Sequence, residues 1–273
     1  KFFDTLLFAY NLDKLTIAGF VVLTENCHGS SARTGYVKVE RQSWSWYAKI
    51  ARRIGLRVKP RLTSNYEYVS GTRNTICNDR LDCTDSQGQE HYRWQWHQKI
   101  APALRQGETV YYEIMGYTNT GASIMQAQDT TALKDKRIET QFGKTMVYRY
   151  GCADGANDIF VYRITVQNAV GNVIELSWLQ VVARCRELGL KTVPMLSIFY
   201  TDKALASTVE HEVAELLTNG ASCVDGRHIR EGVVVRIESE RGMQTYKQKN
   251  HLFLVLEGIA KEVDSYIDTE EVG

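Results

Sequence analysis

Lys247 and Lys249 stand two residues apart in Tyr246-Lys247-Gln248-Lys249. On a strand, residues two apart share a face, so both ammonium groups can reach one phosphate. Five other segments carry charged or aromatic side chains of the kind that handle phosphates and nucleotides. They are Glu25-Asn26-Cys27-His28-Gly29-Ser30-Ser31-Ala32-Arg33, Ser70-Gly71-Thr72-Arg73-Asn74, Tyr112-Glu113-Ile114-Met115-Gly116, Phe160-Val161-Tyr162-Arg163-Ile164 and Glu231-Gly232-Val233-Val234-Val235-Arg236. Taken singly each pattern is common. A Lys-x-Lys can be an exposed strand, Glu231 a strand-end acid, and Tyr162 or Phe160 core. Lys49, Arg52, Arg53, Arg57, Lys59 and Arg61 form a basic run with no acid among them. Such a run either holds phosphates or is a solvated helix face. The six cysteines include no C-x-x-C pair, which speaks against a zinc ribbon or a thioredoxin-like site.

The elements that must position these residues are legible in part. Thr16–Thr24, Val110–Ile114, Ile159–Val166 and Gly232–Ile237 are rich in β-branched and aromatic residues and are predicted as strands. Four helices are expected. The first starts at Ser43 or Ser45 and stops at Ile54 before Gly55. The second places Tyr92, Trp96, Ile100 and Leu104 in one apolar stripe, whose aromatics either pack a core or offer a platform for bases. The third follows Ser177, carries Trp178, Val182 and Cys185, and ends near Gly189. The fourth follows Asp202, aligns Leu205, Val209, Val213 and Leu216, and stops at Asn219-Gly220. Strands and helices do not alternate as a doubly wound sheet requires. An α+β fold with mainly antiparallel sheets is expected.

With 273 residues, 44% hydrophobic and 24% charged, the chain has the balance of a soluble globular protein that needs no disulfide or metal staple. Reduced, mostly buried thiols and an intracellular, cytoplasmic setting are expected. No apolar stretch spans a bilayer and no charged-then-apolar leader opens the chain, so neither a membrane anchor nor a signal peptide is expected. Because it opens without Met, the chain is taken as processed or excised.

In their order and separations the six segments resemble the motifs of ATP-dependent RNA ligases, within the covalent nucleotidyltransferases that also include DNA ligases and capping enzymes. The resemblance runs from Glu25 to Lys249. His28 favours RNA ligases, since DNA ligases and capping enzymes usually carry Asp there. It implies a nucleotidyltransferase, ATP-grasp-like ligase core: two antiparallel sheets flanked by helices with the nucleotide between. Residues 1–273 would form this single adenylation domain, an OB-type or helical flanking module having been removed or never present.

One position departs from the pattern. Asn26 occupies the place of the family's nucleophilic lysine, which attacks the α-phosphorus of ATP to form a lysyl-adenylate. An amide nitrogen cannot substitute, because its lone pair is delocalised into the carbonyl. The chain is therefore expected to bind ATP without becoming adenylylated. Asn26 is read as an engineered change, with a natural inactive paralogue or a modified residue recorded as Asn as alternatives.

The resemblance also implies residue roles. Lys247 and Lys249 would contact the α-phosphate, and one of them would help lower the nucleophile's pKa. Glu231 would orient a hydrated Mg²⁺ or Mn²⁺, and Arg236 would face phosphate. Glu113 would accept the ribose hydroxyls. Tyr162 would stack on adenine, with Phe160 as second choice. Arg73 would contact phosphate and ribose, and Arg33 the triphosphate or the RNA end. Backbone atoms at Glu25 would read the adenine edge, and His28 would help place the phosphates or the 5′-phosphate end. The implied substrate is RNA with a 3′-OH beside a 5′-phosphate, as in a nicked duplex under repair, with no membrane and no structural metal. Two other classes stay open: a non-catalytic nucleotide- or RNA-binding relative, and a DNA ligase or capping-type enzyme.

Overall fold

The computed structural model describes residues 5–11, 18–73, 75–77, 91–201, 214, 220–240 and 242–258. In chain order the first strands are β1 (Leu6–Leu7), β2 (Gly19–Asn26), β3 (Ser30–Ser43), β4 (Arg61–Gly71), β5 (Ile76–Cys77), β6 (Glu108–Gly116) and β7 (Gln128–Asp129). They are followed by β8 (Thr145–Met146), β9 (Asn157–Gln167), β10 (Val173–Glu175), β11 (Lys191–Thr192), β12 (Met195–Thr201), β13 (Gly232–Ser239) and β14 (Gly242–Lys249). The α-helices are α1 (Trp46–Arg53), α2 (Tyr92–Ile100), α3 (Lys136–Phe142), α4 (Trp178–Leu188) and α5 (His251–Leu256). The chain divides into two compact units, one of Lys1–Ser31, Tyr112–Tyr162 and Ser177–Gly273, the other of Ala32–Tyr111 and Arg163–Leu176.

In the first unit a five-stranded sheet runs β1-β14-β13-β2-β12. Only β1 joins its neighbour in parallel. The other large sheet follows the order β10-β9-β6-β3-β4-β5, with β11 on β9, and its strands β3, β6 and β9 contribute residues to both units. A short β7-β8 pair completes the strands described. The fold is α+β with mainly antiparallel sheets, as the sequence pattern predicts.

Strand alternation decides which side of the five-stranded sheet is core. Val233, Val235 and Ile237 of β13 pack with Val21 and Leu23 of β2, Tyr246 of β14 and Phe8 in one apolar cluster. The opposite face then carries Gly232, Val234 and Arg236, and register adds Asn26, Lys249 and Lys247 to it: Gly232 faces Asn26 and Lys249, and Val234 faces Lys247. One face of β13 is thus apolar and the other polar. Gly232 must stay small, because a Cβ there would press on the Gln248 carbonyl oxygen and stand 2.9 Å from Lys249 Cα. Gly232→Ala is expected to cost about 1–3 kcal/mol, read as a lower melting temperature.

The helix expectations fare unevenly. α1 starts after Ser45, ends at Ile54, and Gly55 follows in the left-handed region at φ 84°. α4 has Ser177 as N-cap, with Gln180 completing a reciprocal capping box, and Gly189 at φ 64° ends it. Its buried side is Trp178, Val181, Arg184 and Cys185, so Val181 takes the core position expected of Val182. The four-residue stripe of α2 does not hold. Each step of four overshoots a full turn by about 40°, so Leu104 would lie about 120° around from Tyr92. The α-helix instead ends at Ile100, a 3₁₀ turn follows at Ala101–Ala103, and Leu104 is buried from extended backbone. His97 fills the face, 3.3 Å from Thr34 Oγ1, while Trp96 is half-buried under the Lys99 ammonium. β6, β9 and β13 cover their predicted stretches, whereas β2 begins at Gly19, with Ala18 outside the strand, and runs on to Asn26. Residues 16–17, Asn74, Cys83, the fourth helix with Leu205, Val209, Val213 and Leu216, and residues 259–273 lie outside the described residues. Among the described residues no helix is long and apolar enough to cross a membrane. Cys27, Cys152, Cys185 and Cys223 are free thiols.

Burial lowers the pKa of both His97 and His228. With the folded values below the unfolded one, the unfolded chain takes up protons first. This stability is present above the unfolded pKa, near 6.5, and is lost as pH falls toward the folded values. The melting temperature is expected to drop between about pH 7 and pH 5.5, less steeply in His228→Gln.

Candidate functional site

Three side chains of the first unit converge on one carboxylate. Asn26 closes β2, and its Nδ2 donates to Glu231 Oε1 at 2.7 Å. His28 Nδ1 lies 3.0 Å from Glu231 Oε2. Lys249 Nζ stands 3.9 Å from Oε1. Glu231 immediately precedes β13 and is buried, as are His28 and Lys249, whereas Lys247 is half-buried on the same sheet face. Burial raises the pKa of Glu231, but the His28 hydrogen bond and charge, with Lys249 and Lys247, outweigh it and hold the carboxyl below its ordinary range. The group is therefore an anion at neutral pH. As pH falls from the ordinary carboxylate value toward this lowered one, the stability it contributes is lost.

Residues that the sequence reading did not single out hold this arrangement in place. Asn250 is fully buried, and its Nδ2 donates to the Arg230 carbonyl at 3.1 Å while its N–H donates to the Glu231 carbonyl at 2.7 Å. Its Oδ1 caps α5 by accepting from Leu252 N–H at 2.9 Å. The signal was an Asn before an apolar run, a helix start. The His28 ring meets Tyr148 edge-on at 4.7 Å and Phe253 at 4.9 Å. The His28 N–H donates to Tyr150 Oη at 2.6 Å. Tyr150 sits at φ 48°, a left-handed conformation that non-glycine residues seldom adopt. Gly29 leaves no room for a side chain, since a Cβ would stand 2.8 Å from the Ile114 carbonyl oxygen and 3.0 Å from Met115 Cγ.

The other candidates fall into distinct surroundings. Glu25 points to the apolar side of β2, opposite Asn26, and is buried. Its Oε2 accepts from Cys223 N–H at 2.8 Å with Arg230 Nε at 3.8 Å, and its own N–H donates to the Pro194 carbonyl at 2.9 Å. Cys27 cannot replace a missing amine. Burial first, then the charges of Glu25, Glu113 and Glu231, push its thiol well above the ordinary value, so it stays protonated and unreactive. Glu113 is half-buried on β6, its Cβ next to Gly29. Tyr162 Oη lies 3.1 Å from Ser31 Oγ. Phe160 is buried with the Lys191 ammonium 5.6 Å from its ring centre. Arg236 shares the face of Lys247 by register, yet its Nε donates to Glu238 Oε1 at 2.8 Å. That carboxylate oxygen also accepts from Trp178 N–H at 2.6 Å. Arg33 and Arg73 belong to the second unit, where Arg33 on β3 faces Gly71 on β4 and Arg73 follows that strand.

An anionic carboxylate, two lysines on one sheet face and an imidazole form a set suited to binding phosphate and orienting a hydrated cation. A sequence model described as RNA ligase matches residues 19–253. The chain belongs to the RNA ligase family. Solved RNA ligases share its fold. The Naegleria gruberi RNA ligase with PPi gives a TM-score of 0.54 at 12% identity over 93% of this chain and 57% of that one. A lysine-to-methionine variant of that ligase with AMP and Mn gives 0.53 at 13% identity, and a lysine-to-alanine variant with ATP and Mn gives 0.53 at 12%, with the same coverage of both chains. The matched part is less than two thirds of those longer ligases. No curated protein matches the sequence of this RNA ligase family member.

Proposed function

We propose that this chain is the nucleotidyltransferase core of an ATP-dependent RNA ligase whose first step is disabled by Asn26. Residues 1–273 form its adenylation domain, and its substrates are ATP and RNA with 3′-OH and 5′-phosphate ends, including nicked duplexes. The observation that carries the reading is the convergence of Asn26, His28 and Lys249 on Glu231. An amine at position 26 in the same place would lie against Glu231 and near the cations on its face. Glu231 would favour the charged form of that amine, and the repulsion of Lys247 and Lys249, with a cation held on the carboxylate, would favour the uncharged, nucleophilic one. Asn26 offers a carboxamide instead, which does not attack phosphorus.

The reaction is phosphoryl-type transfer, in which the protein mainly positions groups and neutralises charge. Lys247 and Lys249 draw the α-phosphate onto the sheet face. A single buried, ionised carboxylate suits Mg²⁺ or Mn²⁺, which keep most of their waters and take further oxygens from the nucleotide. When bound, the metal supplies charge neutralisation on the phosphate oxygens. Glu231 would hold such a cation through its water shell, and His28 orients Glu231 through its Nδ1. Tyr162 offers the adenine a ring and Glu113 takes the ribose hydroxyls. In this reading Arg236 acts on phosphate only after releasing Glu238, and Arg33 and Arg73 serve the triphosphate and the RNA end. Sealing then passes through an RNA-adenylate.

Calorimetry with ATP and Mg²⁺ tests the reading: heat of binding is expected, and none would end it. Asn26 also supports a second reading, a binding protein that holds nucleotide or RNA without joining ends. Under it, nucleotide binds but strands supplied already adenylylated are not sealed. The family match to RNA ligases weighs against a DNA ligase or a capping enzyme.

A further inference from the structure

The second unit carries a surface used neither by the carboxylate site nor by a core. β3 and β4 pair from Arg33↔Gly71 out to Ser43↔Arg61, and α1 sits in the connection beyond. From Trp44 to Arg61 the cations are Lys49, Arg52, Arg53, Arg57, Lys59 and Arg61, all exposed and with no acid between them. Apolar rings and chains lie among them: Trp46 is 75% exposed, Tyr47 63% and Ile50 53%, and Ala48 is the buried residue of α1. A short helix that turns tryptophan, tyrosine and unbalanced positive charge to water is built for an occupant.

The hairpin itself supplies a second, independent feature. Register places Tyr36, Lys38, Tyr66 and Tyr68 on one face. The Tyr36 and Tyr68 rings stack at 4.4 Å between centroids, and Tyr66 lies 5.8 Å from Tyr36. Tyr68 is 50% exposed. Stacked tyrosines on a sheet beside a lysine are a platform for unpaired bases, whose faces need no particular hydrogen-bond pattern.

We propose that the β3–β4 hairpin and α1 bind a single-stranded RNA segment, bases on the tyrosine face and Trp46, phosphates on the cations of α1 and of the stretch from it to Arg61. This rests on the RNA-ligase reading for the identity of the polymer. Charge complementarity favours nucleic acid over other occupants: a polyanion neutralises six cations, and its bases cover the rings as well.

Anisotropy of a labelled, unstructured RNA oligonucleotide titrated with the whole chain tests this. Arg52→Glu/Arg53→Glu is expected to weaken binding about tenfold or more and to lower the salt slope by roughly 1.4, for two lost phosphate contacts on a single strand. Trp46→Ala and Tyr68→Ala are each expected to weaken it about fivefold or more, with the salt slope unchanged. Melting curves identify any variant that has merely unfolded, and Trp46, lying exposed on α1, serves as the variant least able to do so. Unchanged RNA affinity in folded Arg52→Glu/Arg53→Glu and Trp46→Ala proteins overturns the proposal. Loss of binding to phosphatidylserine vesicles in those variants, with RNA binding intact, overturns it in favour of a membrane surface. ATP calorimetry on the same proteins separates the two readings: a parent that binds no ATP ends the ligase reading, while the RNA titration decides the surface by itself.

Discussion

Incubated with α-labelled ATP and Mg²⁺, the Asn26→Lys protein is expected to acquire an acid-labile AMP adduct, and the Asn26 protein none. The expected gain is on the order of 10⁶-fold, the scale of loss when a covalent nucleophile is removed from an enzyme. The physical basis is local. Asn26 Nδ2 already sits 2.7 Å from Glu231 Oε1, so a longer side chain starting from the same Cα reaches the polar face beyond that carboxylate. The adjacent Cys27 thiol cannot act in its place, because it is held protonated by burial and by three carboxylates. The adduct should be labile to acid and stable to base, as a phosphoramidate is, and it should vanish when α-labelled ATP is replaced by γ-labelled ATP. If the Asn26→Lys protein stays unlabelled while binding ATP, the motifs keep a nucleotide site and the binding-protein reading takes over.

The second large effect is expected at Glu231. In the Asn26→Lys background, Glu231→Gln should slow labelling by roughly 10²–10³-fold, the loss seen when one group that stabilises transition-state charge is removed. Glutamine keeps the shape but removes the anion that His28, Lys249 and Lys247 together hold ionised. It also removes a negative charge 3.9 Å from the buried Lys249 ammonium, so the melting temperature should fall. A metal titration separates the two consequences. If Glu231 orients the cation, the Mg²⁺ concentration for half-maximal labelling rises in Glu231→Gln. If the carboxylate is only structural, stability falls while the labelling rate per folded molecule and the metal dependence stay as they were.

The β-branched runs at Gly232–Ile237 and Ile159–Val166, the Ser177 cap and the stops at Gly55 and Gly189 are written locally, and each forms where its residues say, while Ser45 stands at the start of α1 without a capping side-chain hydrogen bond. The failures are equally instructive. Tyr92, Trp96, Ile100 and Leu104 read as one stripe because spacing was counted in fours, while the helix turns in steps of 3.6. The long hairpin strand β3 was invisible because its Gly35 and its mixed polar residues give no clean alternation.

The candidate site divides the same way. Lys247 and Lys249 on one face follow from strand geometry that any sequence carries, whereas the close approach of Lys249 to Gly232 depends on the β13–β14 register. Asn26 stood out only against the resemblance to RNA ligases, which places a lysine there. Whether Glu231 would meet Asn26, His28 or Lys249 was not readable, because Asn26 and His28 lie 205 and 203 positions away and all three contacts depend on the β2–β13–β14 register. The same holds for Asn250 and Tyr150: Asn250 carries a helix-start signal, but its bonds to the Arg230 and Glu231 carbonyls, and the bond from His28 N–H to Tyr150 Oη, exist only in the folded chain. Nor could composition foretell that Arg236 would spend its Nε on Glu238, or that Glu25 would face the apolar side. The sequence determined which chemistry was available; the pairing of distant strands decided which groups share a face, and so which charges tune one another.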